Sequence, residues 1–117
     1  MLRLPPFFVA KLAAMMYNCL MRIISEKTLR TFWQIHPDAE QALRTWAILV
    51  GRANWRTPED IKRDFASASF LANNRVVFNI RGNNYRLVVV ILYRLGHVYI
   101  RFIGTHAEYD RIDAESI

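Results

Sequence analysis

The tightest constraint on the fold lies in residues 75–103, where apolar side chains recur at every second position and the chain has to build sheet. Val76, Phe78 and Ile80 alternate with Val77, Asn79 and Arg81. Gly82-Asn83 then supplies residues that tolerate positive φ, as a tight hairpin turn requires. From Tyr85 to Arg94 nearly every residue is apolar, the pattern of a central strand covered on both faces. Leu95-Gly96 turns the chain again, into Val98, Ile100 and Phe102. An antiparallel meander is expected.

Register follows from the turns. With Gly82-Asn83 and Leu95-Gly96 each read as a two-residue loop, Asn79 faces Arg86 and Arg101 faces Val90. Alternation then puts Asn79, Arg81, Arg86, Tyr99 and Arg101 on one face of the sheet. Val76, Phe78, Ile80, Leu87, Val89, Ile91, Ile100 and Phe102 take the other. One face is core and its opposite is basic, provided that neither turn slips by a residue.

Helical signals precede the meander. Ser25 is placed to cap a helix whose Leu29, Phe32 and Trp33 share a face, and His36-Pro37 ends it. Pro37 suits the first turn of a second helix, with Asp38 and Glu40 at its positive end and Leu43, Trp46, Val50 and Ala53 as the buried stripe. Thr57-Pro58-Glu59-Asp60 has the form of a capping box before Ile61 and Phe65, so a short third helix is expected. The fold class is α+β: a helical hairpin packed on one face of a small antiparallel-rich β-sheet, in a single domain spanning residues 21–117.

Residues 1–20 read as an N-terminal extension outside that domain. They are apolar and Met-rich, with Pro5-Pro6 and only Arg3 and Lys11 charged. Lys11 breaks the apolar stretch of a signal peptide, and Pro5, Pro6, Lys11 and Asn18 argue against a transmembrane helix, so no stable membrane insertion is expected. Two readings stand: a dispensable leader before a second start at Met21, or a helix around Val9 to Leu20 that packs or touches membrane. Cys19, the only cysteine, has no internal disulfide partner, and a cytoplasmic location is the default.

Charge points to the ligand. Sixteen basic against ten acidic side chains in 117 residues give +6, which favours nucleic acid or another anionic surface. Between Asp64 and Glu108 there is no carboxylate, but there are Arg75, Arg81, Arg86, Arg94 and Arg101. His36, His97, His106 and Cys19 lack metal-ligand spacing, and no Gly-rich phosphate loop is present, so neither a metal nor a cofactor is expected.

The run Val76-Val77-Phe78-Asn79-Ile80-Arg81-Gly82-Asn83, with Tyr99-Ile100-Arg101-Phe102-Ile103-Gly104-Thr105-His106-Ala107-Glu108-Tyr109-Asp110, resembles the HigB toxins of type II toxin–antitoxin systems. Ile23-Ile24-Ser25, His36-Pro37-Asp38-Ala39, Trp55-Arg56-Thr57-Pro58 and Asn73-Asn74-Arg75 are also similar to that family, and the likeness spans Met21 to Ala114. It implies a RelE-like fold, endoribonuclease activity on messenger RNA, usually ribosome-bound, and a HigA-type helix-turn-helix antitoxin as partner. Two departures stand out. Val90 and Leu92 occupy positions where the family pattern has a basic residue and an asparagine. The segment Trp46-Ala47-Ile48-Leu49-Val50-Gly51 is apolar where the family carries charge. A catalytically weakened RNA- or antitoxin-binding module is therefore the alternative to an active nuclease.

Metal-free RNA cleavage uses the 2′-hydroxyl as nucleophile, so the protein must position the backbone, move protons and stabilise extra negative charge. His106 is the candidate general acid or base, because an imidazole titrates near neutral pH. Arg86 and Arg101 are the candidate catalytic arginines, and Tyr109 is placed to stack on a base or orient a proton. Arg81, Asn79, Tyr99 and Lys62 are candidate RNA-binding residues. Asp110 either orients His106 or caps the last turn. Arg75 and Arg94, near strand ends, read as solvated or ion-paired. Each candidate also has a structural reading, with His106 as a surface cap, Tyr109 as packing and Lys62 as a solvated helix residue.

Overall fold

The computed structural model of the protein describes residues 21–117, so the two readings of residues 1–20 lie outside the described residues. The elements are β1 (Arg22–Ile24), α1 (Glu26–Ile35), a 3-10 turn (Pro37–Ala39), α2 (Glu40–Arg52), α3 (Pro58–Asp64), β2 (Ser69–Phe70), β3 (Arg75–Ile80), β4 (Tyr85–Leu92), β5 (His97–Thr105) and α4 (His106–Tyr109). The five strands lie in the order β1-β5-β4-β3-β2, with β1 parallel to β5 and every other pair antiparallel. This is the expected α+β architecture of helices on one face of a mainly antiparallel sheet.

Burial explains the helices. Leu29 of α1 and Leu43, Trp46 and Val50 of α2 are buried, as their spacing requires. Asp60 accepts hydrogen bonds from the Arg56 and Thr57 N–H groups at 2.9 and 3.2 Å, which makes the start of α3 a capping box as expected. Two helix starts differ from the sequence reading. Ser25 has a φ of 76° and its side chain makes no capping bond, because the chain turns sharply there from β1 into α1. Pro37 forms a separate 3-10 turn ahead of α2.

Between helices and sheet lies one core containing Val76, Phe78, Ile80, Leu87, Val89, Ile91, Val98 and Ile100 from the strands. Phe78 is its aromatic centre, with ring centroids 5.1 Å from Phe65, 5.4 Å from Trp46 and 6.0 Å from Trp55. The indole N–H of Trp55 donates to Asp64 at 2.8 Å, so that large side chain is buried with its polar atom satisfied. Val88, on the other face of β4, is also fully buried, so β4 is covered on both sides.

Asn79 pairs with Arg86 as the first hairpin predicts. Positive φ falls on Arg81 (52°) and Gly82 (63°), one residue earlier than expected, and this takes Arg81 out of the strand alternation. The second hairpin differs more. Leu92 pairs with His97 across residues 93–96, so Val90 faces Tyr99 and not Arg101. Then Val89 pairs with Ile100 and Val88 with Phe102, leaving Arg101 as the extra residue of a β-bulge. The bulge reverses the alternation, and Phe102, expected in the core under the helices, lies against Val77 and Val88 on the outer face.

Truncating Phe78 to alanine removes the shared partner of Trp46, Trp55 and Phe65. Urea unfolding of Phe78→Ala is expected to show a loss of about 3–5 kcal/mol. A loss below about 1 kcal/mol would show that the aromatic centre repacks and is not what holds the helices to the sheet.

Candidate functional site

The outer face of the sheet is not an open basic plane. Val77, Val88 and Ala114 form a second buried cluster there, with Leu71, Phe102, Tyr109, Ile112 and Ile117 packed around it. The chain after α4 therefore crosses the middle of this face and separates two ends.

At one end the β3–β4 turn meets the start of α4. Arg86 stands between Asn79 on β3 and Gly104 on β5, and its Nη1 donates to Asn83 Oδ1 at 3.2 Å. Gly104 is needed, because a Cβ there would come within 2.5 Å of the Phe102 ring and 3.1 Å of the Glu108 carboxylate. Thr105 and Glu108 cap α4 reciprocally: the Thr105 N–H donates to Glu108 Oε1 at 2.8 Å, and the Glu108 N–H to Thr105 Oγ1 at 3.2 Å. Those bonds hold the Glu108 carboxyl below its ordinary value, with the Thr105 N–H as the main cause. They also fix His106, the first residue of α4. Its Nδ1 lies 3.3 Å from Asp110 Oδ2, within reach for that carboxylate to orient the ring. With the proton on Nδ1, the Nε2 atom is left as the acceptor.

The other end carries Arg75, Arg101, His97 and Tyr99. Arg75 Nη2 and Arg101 Nε both donate to the main-chain oxygen of Ile117, at 2.6 and 3.2 Å. Tyr99 Oη lies 3.3 Å from His97 Nδ1. Arg101 and His106 are five residues apart on nearly extended chain, about 16 Å between Cα atoms at the usual rise of a strand.

The remaining candidates lie elsewhere. Arg81 pairs with Asp38 at 2.6 Å, and the Tyr85 hydroxyl donates to the same carboxylate at 2.6 Å. The tyrosine bond first, and the arginine charge with it, hold Asp38 below its ordinary value, while the same bond pushes the Tyr85 hydroxyl up. Lys62 donates to the Ala68 carbonyl at 2.9 Å and ties α3 to the loop before β2. Tyr109 packs on the second apolar cluster. Pairing puts Arg86 beside Asn79 and opposite Gly104, two residues before His106, while Arg81 and Arg101 are engaged by Asp38 and Ile117, so Arg81, Arg86 and Arg101 do not form the single row that simple alternation implies. The bulge, the shifted turn and Asp38 account for the difference.

Sequence reasoning missed Asn83 as a partner of Arg86 and the Thr105–Glu108 cap as the device that fixes His106. The T-x-x-E spacing of that cap was the available signal. It also missed His36, whose ring stacks on Phe32 with centroids 4.5 Å apart and lies 5.4 Å from Tyr85. Among the described residues, no group of His, Cys, Asp and Glu is disposed to hold a metal ion, and no helix is long and apolar enough to cross a membrane.

Comparison with known proteins adds a family. Residues 39–112 match the family described as HigB_toxin, RelE-like toxic component of a toxin-antitoxin system. The chain is 28% identical over 92 residues to the mRNA interferase toxin HigB of Escherichia coli strain K12, covering 77% of this chain and 88% of that protein. The mRNA interferase HigB of Shigella flexneri matches with the same identity and coverage. The mRNA interferase HigB of Escherichia coli O6:H1 is 27% identical over 94 residues, covering 79% of this chain and 91% of the relative.

The Glu108 cap gives a pH signature. Because folding lowers this carboxyl, its contribution to stability is present above the unfolded value near 4.5 and is lost as pH falls through the lower folded value. Thermal melting of wild type and Glu108→Gln from pH 7 to 3 is expected to show the widest gap above about pH 4.5. The gap should close as the solution becomes more acid. Parallel curves would show that the carboxylate charge is not what holds α4.

Proposed function

This chain belongs to the HigB family of RelE-like toxins, the toxic component of a toxin–antitoxin system, and we propose that it is an endoribonuclease that cuts messenger RNA without a metal ion where Arg86 meets His106. The observation that carries the reading is local. Arg86 has no carboxylate partner among the described residues, and it pairs across the strands with Gly104, two residues before an imidazole that lies 3.3 Å from Asp110. The relatives bear the name mRNA interferase, which matches that chemistry.

In this mechanism His106 Nε2 takes the proton of the 2′-hydroxyl, and the 2′ oxygen attacks the adjacent phosphorus. Arg86 holds the non-bridging oxygens, and its stabilisation grows as negative charge builds on them. The bond to the 5′ oxygen breaks, and that oxygen takes a proton from the imidazolium or from water. Asn79 and Asn83 offer amides to the neighbouring sugar or base. Arg101 and Tyr99 serve binding further along the strand, and Tyr109 serves packing. Messenger RNA on the ribosome is the proposed substrate and the cytosol the proposed location. A HigA-type helix-turn-helix antitoxin is the proposed partner.

The diversion of Arg81 to Asp38 and of Arg101 to Ile117 favours a second reading, a catalytically weakened module that binds RNA or antitoxin. One experiment separates the two. Purified protein incubated with RNA in chelator is expected to cleave it, His106→Ala to lose about 100-fold or more in rate, and a 2′-deoxy substitution at the cut site to block the reaction. Salt-dependent RNA binding with no His106-dependent cleavage would favour the binding module.

A further inference from the structure

Two guanidiniums converge on one main-chain oxygen at the end of the outer face away from His106. Arg75 Nη2 and Arg101 Nε both donate to the Ile117 main-chain oxygen, at 2.6 and 3.2 Å. Among the described residues neither arginine is paired with an aspartate or glutamate side chain. Arg75 Nε is also buried with no hydrogen-bond partner. Two like charges therefore sit close together, and Arg75 Nε keeps unused hydrogen-bonding capacity. The geometry points to a second anion site, matched to a phosphodiester of single-stranded RNA and occupied in this structure by the protein's own chain.

The surroundings fit RNA better than an isolated anion. Across three strands Arg75 stands opposite Val90, and Val90 opposite Tyr99, while Leu92 stands opposite His97. Two rings beside an apolar floor make a place for a base to stack, next to arginines that hold its phosphate. Val90 and Leu92, where the family pattern has polar residues, supply that floor.

The segment that fills the site is held by few contacts. Asn73 Nδ2 donates to the Glu115 carbonyl at 3.1 Å, Ala114 is buried in the outer cluster, and Ile117 supplies the oxygen taken by the arginines. Residues 113–117 therefore act as a latch, and RNA that reaches this end must displace Ile117 to gain the two arginines. The inference rests on the nuclease reading for its ligand, since it extends the path of the same RNA strand from Arg86 toward Arg75.

The test is the salt dependence of binding to a fluorescent single-stranded DNA oligonucleotide, which lacks the 2′-hydroxyl and survives contact with the protein. Asn73→Ala and Ala114→Asn each loosen the latch and keep both arginines, since the Asn73 oxygen that accepts from Arg75 Nη1 at 3.0 Å is main chain and survives the substitution, and Asn73→Ala is the milder change should Ala114→Asn unfold. Loosened protein is expected to bind about 3–10-fold tighter at low salt, with a log–log salt slope steeper by about 0.7 for each phosphate gained. Adding Arg75→Gln should remove both gains. Unchanged affinity and slope in Asn73→Ala and in folded Ala114→Asn, or gains that survive Arg75→Gln, would overturn the latch. Cleavage of RNA by the same proteins keeps the two readings apart. His106-dependent cutting with an unchanged slope sinks only the latch, whereas a steeper slope with no cutting sinks only the nuclease.

Discussion

The extra residue that β5 carries at Arg101 reverses the side-chain alternation beyond it, so Phe102 turns to the outer face while Ile103 packs toward the helices. Phe102 then joins Val77 and Val88 in an apolar patch that needs cover, and Tyr109, Ile112, Ala114 and Ile117 provide it. The path of the chain after α4 thus follows from one bulge. So does the division of the basic face, with Arg86 and His106 at one end and Arg75 and Arg101 at the other.

Charge is sorted by the same geometry. The stretch from Asp64 to Glu108 has no carboxylate of its own, yet Arg81 is neutralised by Asp38, 43 residues earlier in the chain. That pair braces the β3–β4 turn against the 3-10 turn before α2, with the Tyr85 hydroxyl on the other carboxylate oxygen. Arg86, only five positions further on, has no such partner among the described residues, and no carboxylate neutralises its charge. A count of arginines on a strand pattern therefore overstates what a nucleic acid would meet. Partners supplied by other elements decide which arginines remain available.

Much of the fold was legible in the sequence. The period-two run, the apolar stripe of α2 and the Thr57–Asp60 cap each rest on local spacing, and local spacing is what a sequence displays directly. The first hairpin register held because Ile80 and Tyr85 pair around a compact turn. The second did not, because residues 93–96 all belong to the loop and no Gly-Asn signal marked the strand end. The bulge was hidden for a related reason: Ile100, Arg101 and Phe102 read as ordinary alternation, and only pairing with Val88 and Val89 exposes Arg101 as the surplus residue. At the proposed site, His106 and Arg86 were singled out by residue type alone. The latch and the Asp38 pair were not, because both join elements about forty residues apart.

The central claim is that the two ends of the outer face do different work, chemistry beside His106 and strand binding beside Ile117. Steady-state cleavage of one RNA by Arg86→Ala and Arg101→Ala, measured side by side in chelator, tests it most directly. The account predicts that Arg86→Ala loses about 100-fold or more in kcat, while Arg101→Ala raises KM and keeps kcat within about threefold of wild type. A loss of kcat in Arg101→Ala as large as that in Arg86→Ala would contradict it, because both arginines would then have to act on the same phosphate.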